Sequence, residues 1–307
     1  MIFERYANTD AFAVDTLEIL LEHEAQNMLL INHIMDKTWE IKDDLFTHIN
    51  DKGWDKSESL IGFINLTFGD TDSFRATIKD DNGSVVLTAA CMPPYDMAIY
   101  EIGNKPNGEA LQLLVDELRD INYEFTSLTA ERGLAQRFAE AYGLDYKKHT
   151  SKIIMQLDKT KDIPKAPGHC RPLQINDLHF APYWGRACLE ACHQKPLGVQ
   201  LLYETYKQRI ENQLQHIWED DHPVSQVIHS GNTPNGTIIS DVYTPPYYRG
   251  KGYATSLVWE VSRLILEKGK RFCLLYADAG NPISCGIYRK IGYYDLCVMD
   301  EIAVNAE

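Results

Sequence analysis

No stretch of this chain is apolar for the roughly 20 residues that a bilayer span requires, so no membrane-crossing segment is expected. Met1–Asp10 is largely polar and Ala11–Leu21 is interrupted by Asp15 and Glu18, which is not the form of a secretory leader. A soluble, cytoplasmic protein is the expectation. Positive charge is also scarce: 30 Lys and Arg stand against 44 Asp and Glu, a net charge of −14. That balance argues against nucleic acid as a partner, because phosphate backbones demand basic surfaces. Metal-site spacing is missing too. Cys188 and Cys192 lie four apart, but no second Cys or His pair stands at zinc-site distance, so the seven cysteines read as reduced thiols and no metal is expected.

What is present is enough chain for two domains, at 307 residues. Leu157–Arg171 holds two prolines, a glycine and four Lys or Arg side chains without hydrophobic periodicity. It reads as a joint, giving a first domain over 1–157, a linker over 158–170 and a second domain over 171–307. Ser151–Leu157 reads as the last strand of the first domain, and Asn176 or Asp177 as a helix cap early in the second.

The second domain alternates elements. Helices are expected over Leu178–His193 and Gly198–Leu214, and strands over Gln215–Glu219, Ser225–Ser230 and Gly236–Thr244. Leu257, Val258, Val261, Leu264 and Ile265 recur at helical spacing in Ala254–Lys268, with Gly269 as the residue that ends the helix. A strand over Arg271–Ala277, a short helix over Ile283–Ile291 and a last strand within Tyr294–Val304 complete it. In the first domain, Arg75–Ile78, Ser84–Ala90 and Met97–Ile102 read as strands and Gly108–Ile121 as an amphipathic helix. Cys91-Met92-Pro93-Pro94-Tyr95 echoes Tyr243-Thr244-Pro245-Pro246-Tyr247. Aligned on that echo, Met97 falls where Arg249 sits and Tyr100 where Gly252 sits, so the first copy lacks the glycine-bearing basic loop.

That loop, Arg249-Gly250-Lys251-Gly252-Tyr253-Ala254, follows a strand and opens into the clearest helix of the chain. Backbone N–H groups and the positive end of a helix suit a phosphate or pyrophosphate. Small residues at Gly252 and Ala254 let the backbone come close to such a group. A second constellation follows. Asn281 before Pro282 makes a good cap and first-turn pair, and Ser284 and Tyr288, four apart, share a helix face.

Together these segments resemble the acetyl-CoA site of the GNAT N-acetyltransferase superfamily, whose loop pattern is [Q/R]-x-x-G-x-[G/A]. Pro167-Gly168-His169-Cys170-Arg171-Pro172 also resembles the joint of its bacterial two-domain members. The resemblance implies an α/β (α+β) fold of tandem GNAT-like domains, each a mixed, mainly antiparallel twisted sheet flanked by helices, the N-terminal one degenerate. It implies acetyl-CoA as cosubstrate, held by Val242, Tyr243, Thr244, Arg249, Gly250, Lys251, Gly252, Tyr253, Ala254, Asn281, Ser284 and Tyr288. It further implies direct transfer to a primary amine through a tetrahedral oxyanion. A backbone N–H near Val242–Tyr243 would hold that oxyanion, and Tyr288 would protonate the departing thiolate.

Asp241 or Glu219 is the candidate base, and Trp218, Tyr203 and Tyr206 are candidates to line an acceptor pocket. The acceptor is expected to be a small molecule or peptide amine, and the protein a monomer or homodimer. The same residues also suit a non-catalytic acyl-CoA-binding or sensing protein, or a transferase using another acyl group or an O-acceptor.

Overall fold

The computed structural model of the protein describes residues 1–35, 73–92, 96–103, 105–192, 197–230 and 233–304. They form two compact units. The first comprises the described residues up to Ile154 together with those from Leu296 onward, and the second lies within Met155–Asp295. Residues from Leu296 on, read from sequence with the second domain, thus belong to the first unit. Segment 158–170, read as a linker, lies in the second.

In the first unit, β1 (Ile2–Arg5), β2 (Phe74–Lys79), β3 (Val85–Cys91) and β4 (Met97–Glu101) pair antiparallel in succession. β5 (Ser127–Glu131) then joins β4 in parallel, which requires a crossover. Helix α3 (Gly108–Asp120) supplies it, after α1 (Thr9–Glu22) and α2 (Met28–Met35) earlier in the chain. α3 forms because Ala110, Leu111, Leu114, Val115 and Leu118 make one buried stripe. α4 (Arg132–Tyr142) adds Leu134, Ala135, Phe138 and Ala139 to the same core. Truncating the fully buried Phe138 to alanine is worth about 3–5 kcal/mol. The chain's last strand, β12 (Tyr294–Ala303), pairs antiparallel with β5. Its buried Asp300 accepts from Arg132, Tyr146 and Ser151 and fixes the strand there.

The strand over His149–Leu157 is β6. In the second unit, β7 (His169–Pro172), β8 (Gln215–Asp220), β9 (His222–Ser230) and β10 (Gly236–Tyr243) are antiparallel in that order, and β11 (Phe272–Asp278) joins β10 in parallel. Successive strand residues face opposite ways, and β8 shows both layers. Ile217 packs with α5 (Ala181–Ala191) and α6 (Val199–Glu211). Trp218 instead donates Nε1–H to Pro167 O at 2.7 Å, on the side where Ala166 N–H meets Ser256 of α7 (Tyr253–Glu267) at 2.8 Å.

α8 (Pro282–Ile291) follows β11 and ends at Gly292. Helix capping early in this unit differs from expectation. Gln174, not Asn176 or Asp177, is the cap of a 3-10 turn over Ile175–His179, and the Asp177 carboxylate reaches back to the Gln174 N–H at 2.8 Å.

Candidate functional site

Two irregularities in β10 shape the site. Its parallel pairing with β11 covers only Gly236–Ile238 against Phe272–Leu274, although both strands continue beyond. The edges of Ile239–Tyr243 and Leu275–Asp278 therefore part from each other. On the other side, Ser240 pairs with Ile228 but Tyr243 with Gln226, so β10 carries one extra residue, a bulge. Asp241 sits in that bulge at φ +48°, a left-handed conformation that a non-glycine residue rarely adopts.

Beyond Tyr243 the chain turns through Pro245 and a 3-10 turn at Pro246–Tyr248, and reaches α7. Arg249 Nε–H donates to Thr244 O at 2.9 Å, closing the turn, and its guanidinium lies 6.0 Å from the Tyr243 ring. Gly250 and Gly252 have φ of +78° and +82°. Gly252 is the cap residue of α7, and no side chain caps that helix. Its first turn bond runs from Ser256 N–H to Gly252 O at 3.0 Å, so the N–H groups before Ser256 have no intrahelical acceptor.

Lys251 adds positive charge beside the Tyr248 ring, at 5.9 Å. Tyr253 pins the loop from behind by donating to Asp220 at 2.5 Å, and that carboxylate raises the Tyr253 pKa. A bare helix N-terminus flanked by left-handed glycines and a lysine is what a pyrophosphate would fit.

Along the strand the predicted residues are less free. Tyr243 O accepts from Ser225 at 3.1 Å and Thr244 O from Arg249, which leaves Val242 as the residue of the three whose carbonyl receives no side-chain hydrogen bond among the described residues.

On α8, Asn281 Oδ1 caps the helix by accepting from Ser284 N–H at 3.1 Å. Tyr288 lies one turn beyond Ser284, 9% exposed, its ring edge-on to Tyr293 at 5.9 Å. Burial raises its pKa above 10.0, and a hydrogen bond with Ser284 pulls the other way. The hydroxyl thus keeps its proton at neutral pH and is able to donate it.

The two candidate bases part company. Asp241, 36% exposed, meets Arg209 of α6 at 3.4 Å. Glu219 is ion-paired with Arg171, whose other nitrogens hold Asp177 at 2.7 and 2.9 Å. Glu219 therefore belongs to a closed network on β7 and β8. The expected pocket aromatics differ as well. Tyr206 is fully buried and accepts from Gln226 at 2.9 Å, Trp218 faces α7, and Tyr203 sits beside Lys207 at 4.7 Å. Trp184 of α5 is the aromatic beside β10, 6.3 Å from Tyr243.

One turn further along α5, Cys188 lies against the same strand. Its thiol is pushed far up, first by a hydrogen bond with Cys192, then by burial and by Asp241. Tyr288 in turn feels both cysteines. Sequence spacing shows Cys188 and Cys192 sharing a face, but gives no sign that their thiols couple to Asp241 and Tyr288.

The first unit contains the positional counterpart of this loop, one strand later than the Pro-Pro-Tyr echo suggests. Cys91 ends β3, whereas the helix between the two parallel strands is α3 after β4, as α7 follows β10. Residues 93–95 lie outside the described residues. At α3 the helix N-terminus is closed from within. Asn107 Oδ1 accepts from Ala110 N–H at 3.1 Å. Glu101, paired with Arg137 at 2.6 Å, accepts from Asn107 N–H at 2.6 Å. The start of α3 thus carries a side-chain cap and a carboxylate, whereas no side chain caps α7.

Residues 221–300 match the family described as FR47-like protein, the stretch that holds the bulge, the loop and α8. No curated protein matches the chain. Among solved structures, a tandem GNAT protein from the clavulanic acid biosynthesis pathway superposes with a TM-score of 0.52 at 13% identity, over 100% of this chain and 99% of that one. This chain has the tandem GNAT fold. A GCN5-related N-acetyltransferase from Sphaerobacter thermophilus gives 0.60 at 14% identity, covering 99% and 96%. A GNAT-family acetyltransferase from Colwellia psychrerythraea gives 0.55 at 10%, covering 99% and 100%. In the GNAT frame, the splayed strand, the uncapped helix and the helix bearing Tyr288 all belong to the second unit.

Proposed function

We propose that this chain is an acetyltransferase that uses acetyl-CoA as cosubstrate and a primary amine as acceptor. The observation that carries the reading is the α7 N-terminus, uncapped and entered through left-handed Gly252, directly after the strand that parts from its neighbour. Acetyl-CoA would supply the activated thioester. The N–H groups from Gly252 to Thr255, with Lys251, would take the pyrophosphate. The freed edge of β10 at Val242 would take the pantetheine arm, and a backbone N–H near Val242–Tyr243 would hold the developing oxyanion. Asn281 and Ser284 would flank that path.

Tyr288, kept protonated by burial, would give its proton to the departing thiolate. Asp241 would hold the acceptor ammonium and accept its proton. Glu219 is the weaker candidate because Arg171 already occupies it. Y288F tests the reading: free-thiol release with an amine panel falls about 100-fold, while acetyl-CoA affinity stays within two-fold. An unchanged rate would favour a binding or sensing protein instead.

A further inference from the structure

Arg209 and Asp241 form a looser ion pair than the one Arg171 makes in the same unit. Arg171 grips Asp177 with two short bonds and Glu219 with a third, the closed geometry of a structural fork. Arg209 touches Asp241 by one contact of 3.4 Å, and both side chains remain partly open, at 22% and 36%. No other acceptor engages the Arg209 guanidinium among the described residues.

The guanidinium is nevertheless held in place. It lies 5.0 Å from the centroid of the Tyr206 ring, which is fully buried and tied to Gln226. Asp241 is held equally firmly, by a bulge that keeps it at φ +48°. Left-handed backbone at a non-glycine residue costs on the order of 1 kcal/mol and persists where the surroundings impose it, most often at sites of function. The charges of Asp241 and Arg209 act on the Cys188 thiol, and Cys188 in turn acts on Tyr288.

We propose that the Arg209–Asp241 pair is the acceptor-binding site and that the acceptor is a free α-amino acid. This rests on the acetyltransferase reading. A free amino acid carries an ammonium and a carboxylate on one carbon. Inserted at a loose ion pair, it would replace the single long contact with two better ones, its ammonium on Asp241 and its carboxylate on the Arg209 fork. Asp241 would then take the ammonium proton, so that the neutral amine attacks the thioester carbon. Its nitrogen forms the new amide bond as the carbon–sulfur bond breaks, Tyr288 protonates the sulfur, and the second proton shed by the nitrogen returns to Tyr288 while the proton on Asp241 passes to solvent. An amine without the carboxylate would leave Arg209 unanswered.

The test is turnover of matched pairs with acetyl-CoA, each standard amino acid against its decarboxylated amine, in the wild type and in R209M and R209K. Wild-type kcat/KM is expected to favour at least one amino acid over its amine by about 100-fold, the worth of charge-assisted hydrogen bonds. That ratio should collapse toward one in R209M and recover only partly in R209K, which keeps the charge without the fork. Amines turned over as well as their amino acids, no amino acid turned over at all, or a ratio unmoved by R209M would each overturn the proposal. The wild-type ratio decides the matter even if a variant folds poorly. Failure of acetyl-CoA to bind, read by calorimetry on the same samples, would instead overturn the acetyltransferase reading beneath it.

Discussion

His216 shows how far a single buried side chain departs from its solution behaviour. It lies on β8, 8% exposed, with its ring 5.4 Å from that of His229, and its Nδ1 has no hydrogen-bond partner among the described residues. Burial, then His229 and Lys268, push its pKa down to about 4 from 6.5. The unfolded chain therefore binds a proton that the folded one refuses. The neutral ring is no burden above pH 6.5, and stability is lost as pH falls from 6.5 toward 4. The linkage amounts to about 2 kcal/mol by pH 5. Urea midpoints measured from pH 7.5 to 4.5 should fall less steeply in H216F than in the wild type; parallel curves would contradict this. Tyr288 is the same effect with opposite use, since burial there preserves a proton that the proposed chemistry needs.

Among elements, the contrast between α7 and α3 is the reason the proposed anion site is assigned to the second unit. The Asn107 cap on α3 is worth about 1 kcal/mol, and Glu101 adds negative charge at the same end. N107A should therefore lose about that much stability in a urea melt yet leave acetyl-CoA affinity unchanged. Weaker binding in N107A would place the ligand in the first unit.

Elements also mark where sequence reading stops. α7 and α8 are legible because their apolar periodicity is strong and Gly252, Asn281 and Gly292 punctuate them. α1 is not, because two of its four buried positions are Thr9 and Thr16, and Asp15 and Glu18 break the apolar run. β7 is four residues with a proline, made a strand only by its pairing with β8. The Arg209–Asp241 pair joins residues on a helix and a bulge 32 positions apart, and nothing local to either announces the other. The bulge itself is invisible in D-V-Y.

At the scale of the whole molecule, the chain is two copies of one architecture with unequal chemistry, one open at its crossover helix and the other sealed by its own side chains. The central claim is that the second unit's α7 N-terminus holds acetyl-CoA. Calorimetric titration of the full chain tests it most directly, wild type against G252V. A Cβ at Gly252 would be strained at φ +82° and would meet only Ala166 Cβ, at 3.8 Å, at the point where the proposed pyrophosphate site begins. The account predicts one acetyl-CoA per chain and a loss of at least about ten-fold in affinity in G252V, with the melting temperature within a few degrees of wild type. No binding to the wild type, two sites per chain, or undiminished binding in G252V would contradict it.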